Sequence, residues 1–141
     1  MSKILIVEDN DTFRHTLRSL LQSRFPLMVI EEAENGREAL QKINESLPNL
    51  ILMDIKLPGE SGLELTKQIK HKFPSTIVVV LTNYDLPQYR VAAYESGANH
   101  FLGKGSSTAE EILGLLDSVL HPVTSDPVGL PPGQADQRDL A

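Results

Sequence analysis

Leu50-Ile51-Leu52-Met53-Asp54-Ile55-Lys56-Leu57-Pro58 is a run of strand length, apolar except for one acid and one lysine, with Gly59 and Gly62 close behind. A continuous apolar run bounded by turn residues reads as a strand covered on both faces of a parallel sheet. Ligands of such sheets bind just beyond the carboxyl ends of the strands. Asp54 therefore stands where chemistry is done. Burying its carboxylate without a partner is costly, so a cation is expected beside it.

Toward the N-terminus, Ile4-Leu5-Ile6-Val7 repeats the pattern: a short apolar strand ending at once in two acids, Glu8 and Asp9. Asn10 is placed to cap the helix that follows, with Phe13, Leu17, Leu20 and Leu21 on one stripe, and Pro26 closes the segment. Met28-Val29-Ile30 with Ala33 reads as a more polar strand nearer an edge. Asn35 then opens a second helix that buries Ala39, Leu40 and Ile43.

Toward the C-terminus, Ser61-Gly62-Leu63-Glu64 reads as a capping box ahead of a third helix carrying Leu65, Ile69 and Phe73. Ile77-Val78-Val79-Val80-Leu81 predicts a fourth buried strand, ending on Thr82. Asp85 is expected to cap a fourth helix that takes Pro87 in its first turn and ends at Gly97. His100-Phe101-Leu102 predicts a short fifth strand near Lys104. Ser107-Thr108-Ala109-Glu110 reads as a capping box opening a helix with Ile112, Leu115, Leu116, Val119 and Leu120 on one side.

Five alternations of strand and helix predict an α/β class, a doubly wound five-stranded parallel sheet with five helices on its two faces. The 141 residues suit one domain, assigned to 1–121. Residues 122–141 hold four of the nine prolines, two glycines and no apolar periodicity, and read as a flexible tail or linker start. A net charge of −6 argues against a nucleic-acid surface on this domain. With no cysteine there is no thiolate nucleophile, disulfide or cysteine zinc site. No apolar run approaches the roughly 18 to 20 residues of a membrane span, and the first strand stands where a signal peptide would, so a cytoplasmic location is expected.

Glu8, Asp9, Asp54, Thr82 and Lys104 all fall at or just past the carboxyl ends of predicted strands, and in a parallel sheet those ends share one edge. Oxygen ligands without sulfur or paired histidine suit a hard cation such as Mg²⁺. Thr82 and Lys104 are donors suited to phosphoryl oxygens, which leaves one carboxylate as nucleophile. Taken singly, the acid pair is as well read as a helix cap, Asp54 as a turn carboxylate, and Thr82 and Lys104 as structural or solvated groups. Their joint placement carries the reading. His15, His71, His100 and His121 share no ligand spacing and read as surface or satisfied histidines.

With these residues in place, the chain from Lys3 to about Leu120 resembles the receiver domains of two-component response regulators, the CheY-like family with a flavodoxin-like (βα)5 fold. The Lys104-Gly105-Ser106-Ser107 run, with Leu81-Thr82-Asn83-Tyr84-Asp85, is similar to the NarL/LuxR-type branch. The resemblance implies that Asp54 is the phospho-acceptor, that Thr82 and Phe101 are the switch hydroxyl and aromatic, and that Lys104 is the site lysine. It further implies Mg²⁺ on Asp9, Asp54 and the backbone carbonyl of Lys56, with Glu8 acting through water. The implied partners are a sensor histidine kinase or phosphotransfer protein and a downstream protein effector, with no membrane contact, and the family admits a phosphorylation-dependent dimer. Three positions depart from the common pattern: Gly105 stands where many receivers have proline, Asn83 is bulkier than usual, and Phe101 lacks a hydroxyl.

A stand-alone receiver acting on another protein is the expected output, and the alternative is the receiver of a NarL/LuxR-type DNA-binding regulator. An aspartyl-nucleophile phosphatase of the haloacid-dehalogenase type would need a second acid two residues after Asp54, where Lys56 stands. A flavin-binding protein would set three acids against a phosphate. Dinucleotide and P-loop motifs are missing from the sequence.

Overall fold

Backbone pairing in the computed structural model, which describes residues 2–121, follows the apolar runs. In chain order the elements are β1 (Lys3–Val7), α1 (Asp11–Arg24), β2 (Val29–Ala33), α2 (Gly36–Glu45), β3 (Leu50–Met53), β4 (Lys56–Leu57), β5 (Glu60–Ser61), α3 (Gly62–Lys72), β6 (Ile77–Thr82), α4 (Pro87–Glu95), β7 (His100–Gly103) and α5 (Ala109–Leu120). Five strands form one parallel sheet in the order β2-β1-β3-β6-β7. The register aligns Val7 with Met53, Met53 with Val80, and Thr82 with Gly103, so the strand ends share one edge. This is the doubly wound order, whose crevice opens between β1 and β3 at that edge.

The strands are apolar throughout because both their faces are covered. On one face Ile4, Ile6, Leu50, Leu52, Val79 and Leu81 pack with Leu17 and Leu21 of α1 and Ile112 and Leu116 of α5. On the other, Leu5, Val7, Ile51, Met53 and Val78 meet Ala39 and Ile43 of α2 and Leu65 and Ile69 of α3. Each such fully buried side chain contributes about 1.5–3 kcal/mol, so these faces set the register. A third cluster joins Ile55, Val80 and Phe101 to Ala93 of α4 and to Ala98. Among the described residues no helix is long and apolar enough to cross a membrane.

Local chemistry differs from the sequence expectation at four points. The strand carrying the acid ends at Met53, and Lys56–Leu57 pairs antiparallel with Glu60–Ser61 in a small hairpin whose turn holds Gly59 at φ 77°. Ser61 caps α3 by accepting from the Leu63 N–H at 3.1 Å, without the reciprocal glutamate bond of a full box. Asp85 does not cap α4: with Pro87 at N1, Leu86 occupies the N-cap without a side-chain bond, and the Asp85 carboxylate accepts from Ser106 instead. The box on α5 is Thr108 with Glu111, one residue later than expected, since Ser107-x-x-Glu110 and Thr108-x-x-Glu111 both satisfy the spacing. The predicted tail, 122–141, lies outside the described residues.

Candidate functional site

Each residue of the predicted constellation stands at the end of a strand or just past it, and three of those past the end stay locked to a neighbour by their own backbone. The Asp54 N–H donates to the Val7 carbonyl at 3.1 Å, Glu8 to Ala33 at 3.0 Å, and Lys104 to Thr82 at 2.7 Å. The side chains thereby leave the ladder at fixed points of one edge. α3 closes over Asp54 because its first residue is glycine: Gly62 donates to the Ile55 carbonyl at 2.6 Å, and a Cβ there would overlap the Asp54 carbonyl oxygen.

Glu8, Asp9 and Asp54 each offer an oxygen within 4.8 Å of the others. Glu8 and Asp54 are buried and Asp9 is exposed. Lys104 Nζ lies 2.5 Å from Glu8 Oε1, 3.3 Å from Asp54 Oδ2 and 4.4 Å from the centroid of the Phe13 ring. Glu8 Oε2 accepts from the Asn10 N–H at 3.0 Å. Burial pushes the Glu8 carboxyl above its ordinary range, the charge of Asp54 adds to this, and the bonds from Lys104 and Asn10 offset it only in part.

Asp54 Oδ1 is buried without a hydrogen-bond partner. Buried carboxylate oxygens are normally paired, so an orphan beside two further acids is a set of oxygen donors that fits a hard divalent cation. The cleft over it, about 690 Å³, is also lined by Phe13, Lys56, Asn83, Tyr84 and Gly105. Its chemistry is a buried carboxylate with one free oxygen, a cluster able to hold a cation, and an ammonium at the other oxygen.

Glu8, Asp9, Asp54 and Lys104 thus meet, and Thr82 and Phe101 do not join them. Thr82 is fully buried, and its Oγ1 accepts from the Tyr84 N–H at 3.2 Å. Phe101 is turned inward, with the Arg90 guanidinium 4.7 Å from its ring centroid. Lys56 lies at the cleft mouth, its ammonium 5.8 Å from the Tyr84 ring centroid. None of the four histidines belongs to the carboxylate cluster. Three residues at the site go beyond what the sequence alone suggests: Phe13 reads there only as part of the α1 stripe, Gly62 only as a turn and capping residue, and Arg14 carries no assignment. Arg14 is buried, and the signal that could have found it is the pair Arg14/Arg18, one turn apart on α1, both met by the acid Glu32 of β2.

Residues 4–116 match the family described as response regulator receiver domain. The transcriptional regulatory protein LnrK of Bacillus subtilis is 43% identical over 107 residues, which cover 76% of this chain and 49% of LnrK. The chain spans about half the length of the curated relatives it matches. A LuxR-family DNA-binding response regulator from Staphylococcus aureus superposes with a TM-score of 0.77 at 26% identity, covering 84% of this chain and 98% of that one. A response regulator from Burkholderia pseudomallei, solved with a phosphorylated aspartic acid, calcium ion and citrate, gives a TM-score of 0.74 at 29% identity, covering 85% and 69%. By fold, by site and by these matches, the chain belongs to the response regulator receiver domain family of two-component signalling.

Proposed function

We propose that Asp54 is the phospho-acceptor of a receiver formed by residues 1–121, and that a sensor histidine kinase or phosphotransfer protein supplies the phosphoryl group. The observation that carries this reading is the Asp54 carboxylate, with one oxygen buried and unpartnered and the other 3.3 Å from Lys104 Nζ. An Asp54 oxygen forms the new P–O bond as the P–N bond of the donor phosphohistidine breaks. The imidazole departs with the electron pair, and an acyl phosphate remains. Lys104 and Thr82 donate to the phosphoryl oxygens, which requires Thr82 to give up its present turn toward Tyr84. Asp9, Asp54 and the Lys56 carbonyl are the proposed ligands of Mg²⁺, with Glu8 reached through water, and the bound ion neutralises charge on the phosphoryl group. The solved relative with a phosphorylated aspartic acid and a calcium ion supports both assignments. The protein acts as a phospho-acceptor rather than a conventional enzyme, in the cytoplasm. Incubation with a small phosphodonor should add one phosphoryl group per chain with Mg²⁺ and almost none with EDTA; equal labelling in both would count against the cation site.

A second reading concerns output. The acidic surface supports a protein effector, whereas relatives about twice as long and named as transcriptional regulators support control of DNA binding. Sequence-specific DNA retention by the native gene product on phosphorylation would select the second. Capture of a protein partner without DNA retention would select the first.

A further inference from the structure

We infer that Arg14 is a positioning residue for the carboxylate cluster, fixing the Glu8–Asp9 peptide and with it the Asp9 carboxylate. The inference rests on the cation site proposed above. Arg14 lies on the first turns of α1, where side chains point back toward the helix N-terminus, and its own is only 5% exposed. Its guanidinium uses all three nitrogens: Nε donates to Glu32 Oε1 at 2.7 Å, Nη2 to Asp11 Oδ1 at 2.7 Å, and Nη1 to the backbone carbonyl of Glu8 at 2.9 Å. Glu34 Oε2 lies 3.8 Å from Nη2.

A cross-tie between α1 and β2 does not by itself account for this arrangement, because Arg18 also makes that tie, reaching Glu32 Oε2 at 2.7 Å from the next turn. The bond by which Arg14 reaches the carboxylate cluster is the one to Glu8 O. That oxygen belongs to the peptide joining the two acids, and the preceding peptide is held where the Glu8 N–H meets Ala33 O. Among the described residues the Asp9 carboxylate has no hydrogen-bond or ion-pair partner, so its place is inherited from this peptide. The guanidinium's charge faces Glu32, Asp11 and Glu34, so its contribution at the cluster is geometric rather than electrostatic.

Positioning and charge predict opposite outcomes. Residues that orient metal ligands typically change affinity by about 10- to 100-fold when lost. Titration of the full chain with Mn²⁺ alone, at a temperature where circular dichroism shows every variant folded, should give Arg14→Met and Arg14→Lys each about 10-fold weaker than wild type. Arg18→Met, which releases one oxygen of Glu32 but leaves the bond to Glu8 O in place, should bind as wild type. Glu32→Gln keeps a hydrogen-bond acceptor for Arg14, and should lose only a few-fold; it supplies the comparison if Arg14→Met does not fold. Affinities within two-fold of wild type in Arg14→Lys and Glu32→Gln, tighter binding in Arg14→Met, or equal loss in Arg18→Met would each overturn the inference. Absence of Mn²⁺ binding by the wild type would instead overturn the cation site itself, and the inference with it.

Discussion

Lys104 Nζ stands 2.5 Å from Glu8 Oε1, with the two side chains 8% and 4% exposed. The carboxylate cluster thus carries its own cation, which also reaches Asp54. Removing one member of a buried ion pair costs about 3–5 kcal/mol, because the other charge stays buried and unmatched. Lys104→Met should therefore lose about that much stability to urea in EDTA, and added Mg²⁺ should restore part of it by binding the folded state. Unchanged stability in EDTA would show that the pair contributes nothing.

The Ser106 hydroxyl donates to Asp85 Oδ2 at 2.6 Å and ties the loop after β6, which follows Thr82, to the loop after β7, which carries Lys104. Gly103 leaves the room: a Cβ there would overlap both the Asp85 carboxylate and the Ser106 oxygen. Ser106→Ala should cost about 1 kcal/mol, since the bond is solvent-exposed, and Gly103→Ala about 1–3 kcal/mol through overpacking. Urea midpoints that reverse this order would count against the bridge.

Acid should weaken the fold through Glu32. Burial pushes its carboxyl up, but hydrogen bonds from Arg14 and Arg18 outweigh this and hold it below the ordinary glutamate range. The folded state then binds fewer protons than the unfolded chain, so Glu32 adds stability at neutral pH. That stability is lost as pH falls through the lowered folded value. Glu32→Gln should flatten this part of the pH–stability curve, with the two proteins converging in acid. Parallel curves would contradict the assignment.

The strands and the acids at their ends were legible because both depend on short, local patterns: Ile4–Val7, Leu50–Met53 and Ile77–Thr82 are apolar on both faces, which only a covered parallel sheet demands. The helix stripes followed from period 3.6. Illegible were contacts that depend on where elements meet. Arg14 reads as a surface residue of an amphipathic helix, and only the pairing of β1 with β2 brings Glu32 beneath it. Asp85 satisfies every rule for a cap, yet Ser106 of a distant loop claims its carboxylate. Gly62 reads as part of a capping signal, while its closer constraint is the Asp54 carbonyl. Thr82 and Lys104 were placed on one edge correctly, but rotamers are set by packing, and Thr82 turns to Tyr84.

The proposed switch starts from that turn. Drawing the Thr82 hydroxyl toward a phosphoryl group would free the Tyr84 N–H, and the proposal is that the inward Phe101 and the Arg90 guanidinium over it then repack, a discrete rearrangement able to change a partner's affinity. With a phosphoryl mimic on Asp54, amide exchange should change across residues 83–106, most clearly at Tyr84. Change confined to α1 and α2 would exclude this route.

The proposed transfer of a phosphoryl group to Asp54 can be read by trapping its product. Borohydride reduces an aspartyl phosphate to homoserine, so peptide mass spectrometry after phosphodonor, Mg²⁺ and borohydride reads the modified position. Homoserine is expected at position 54, in proportion to the phosphate incorporated, with no incorporation in Asp54→Asn. Homoserine at Asp9 or elsewhere in the wild type, or wild-type phosphate incorporation by Asp54→Asn, would contradict it.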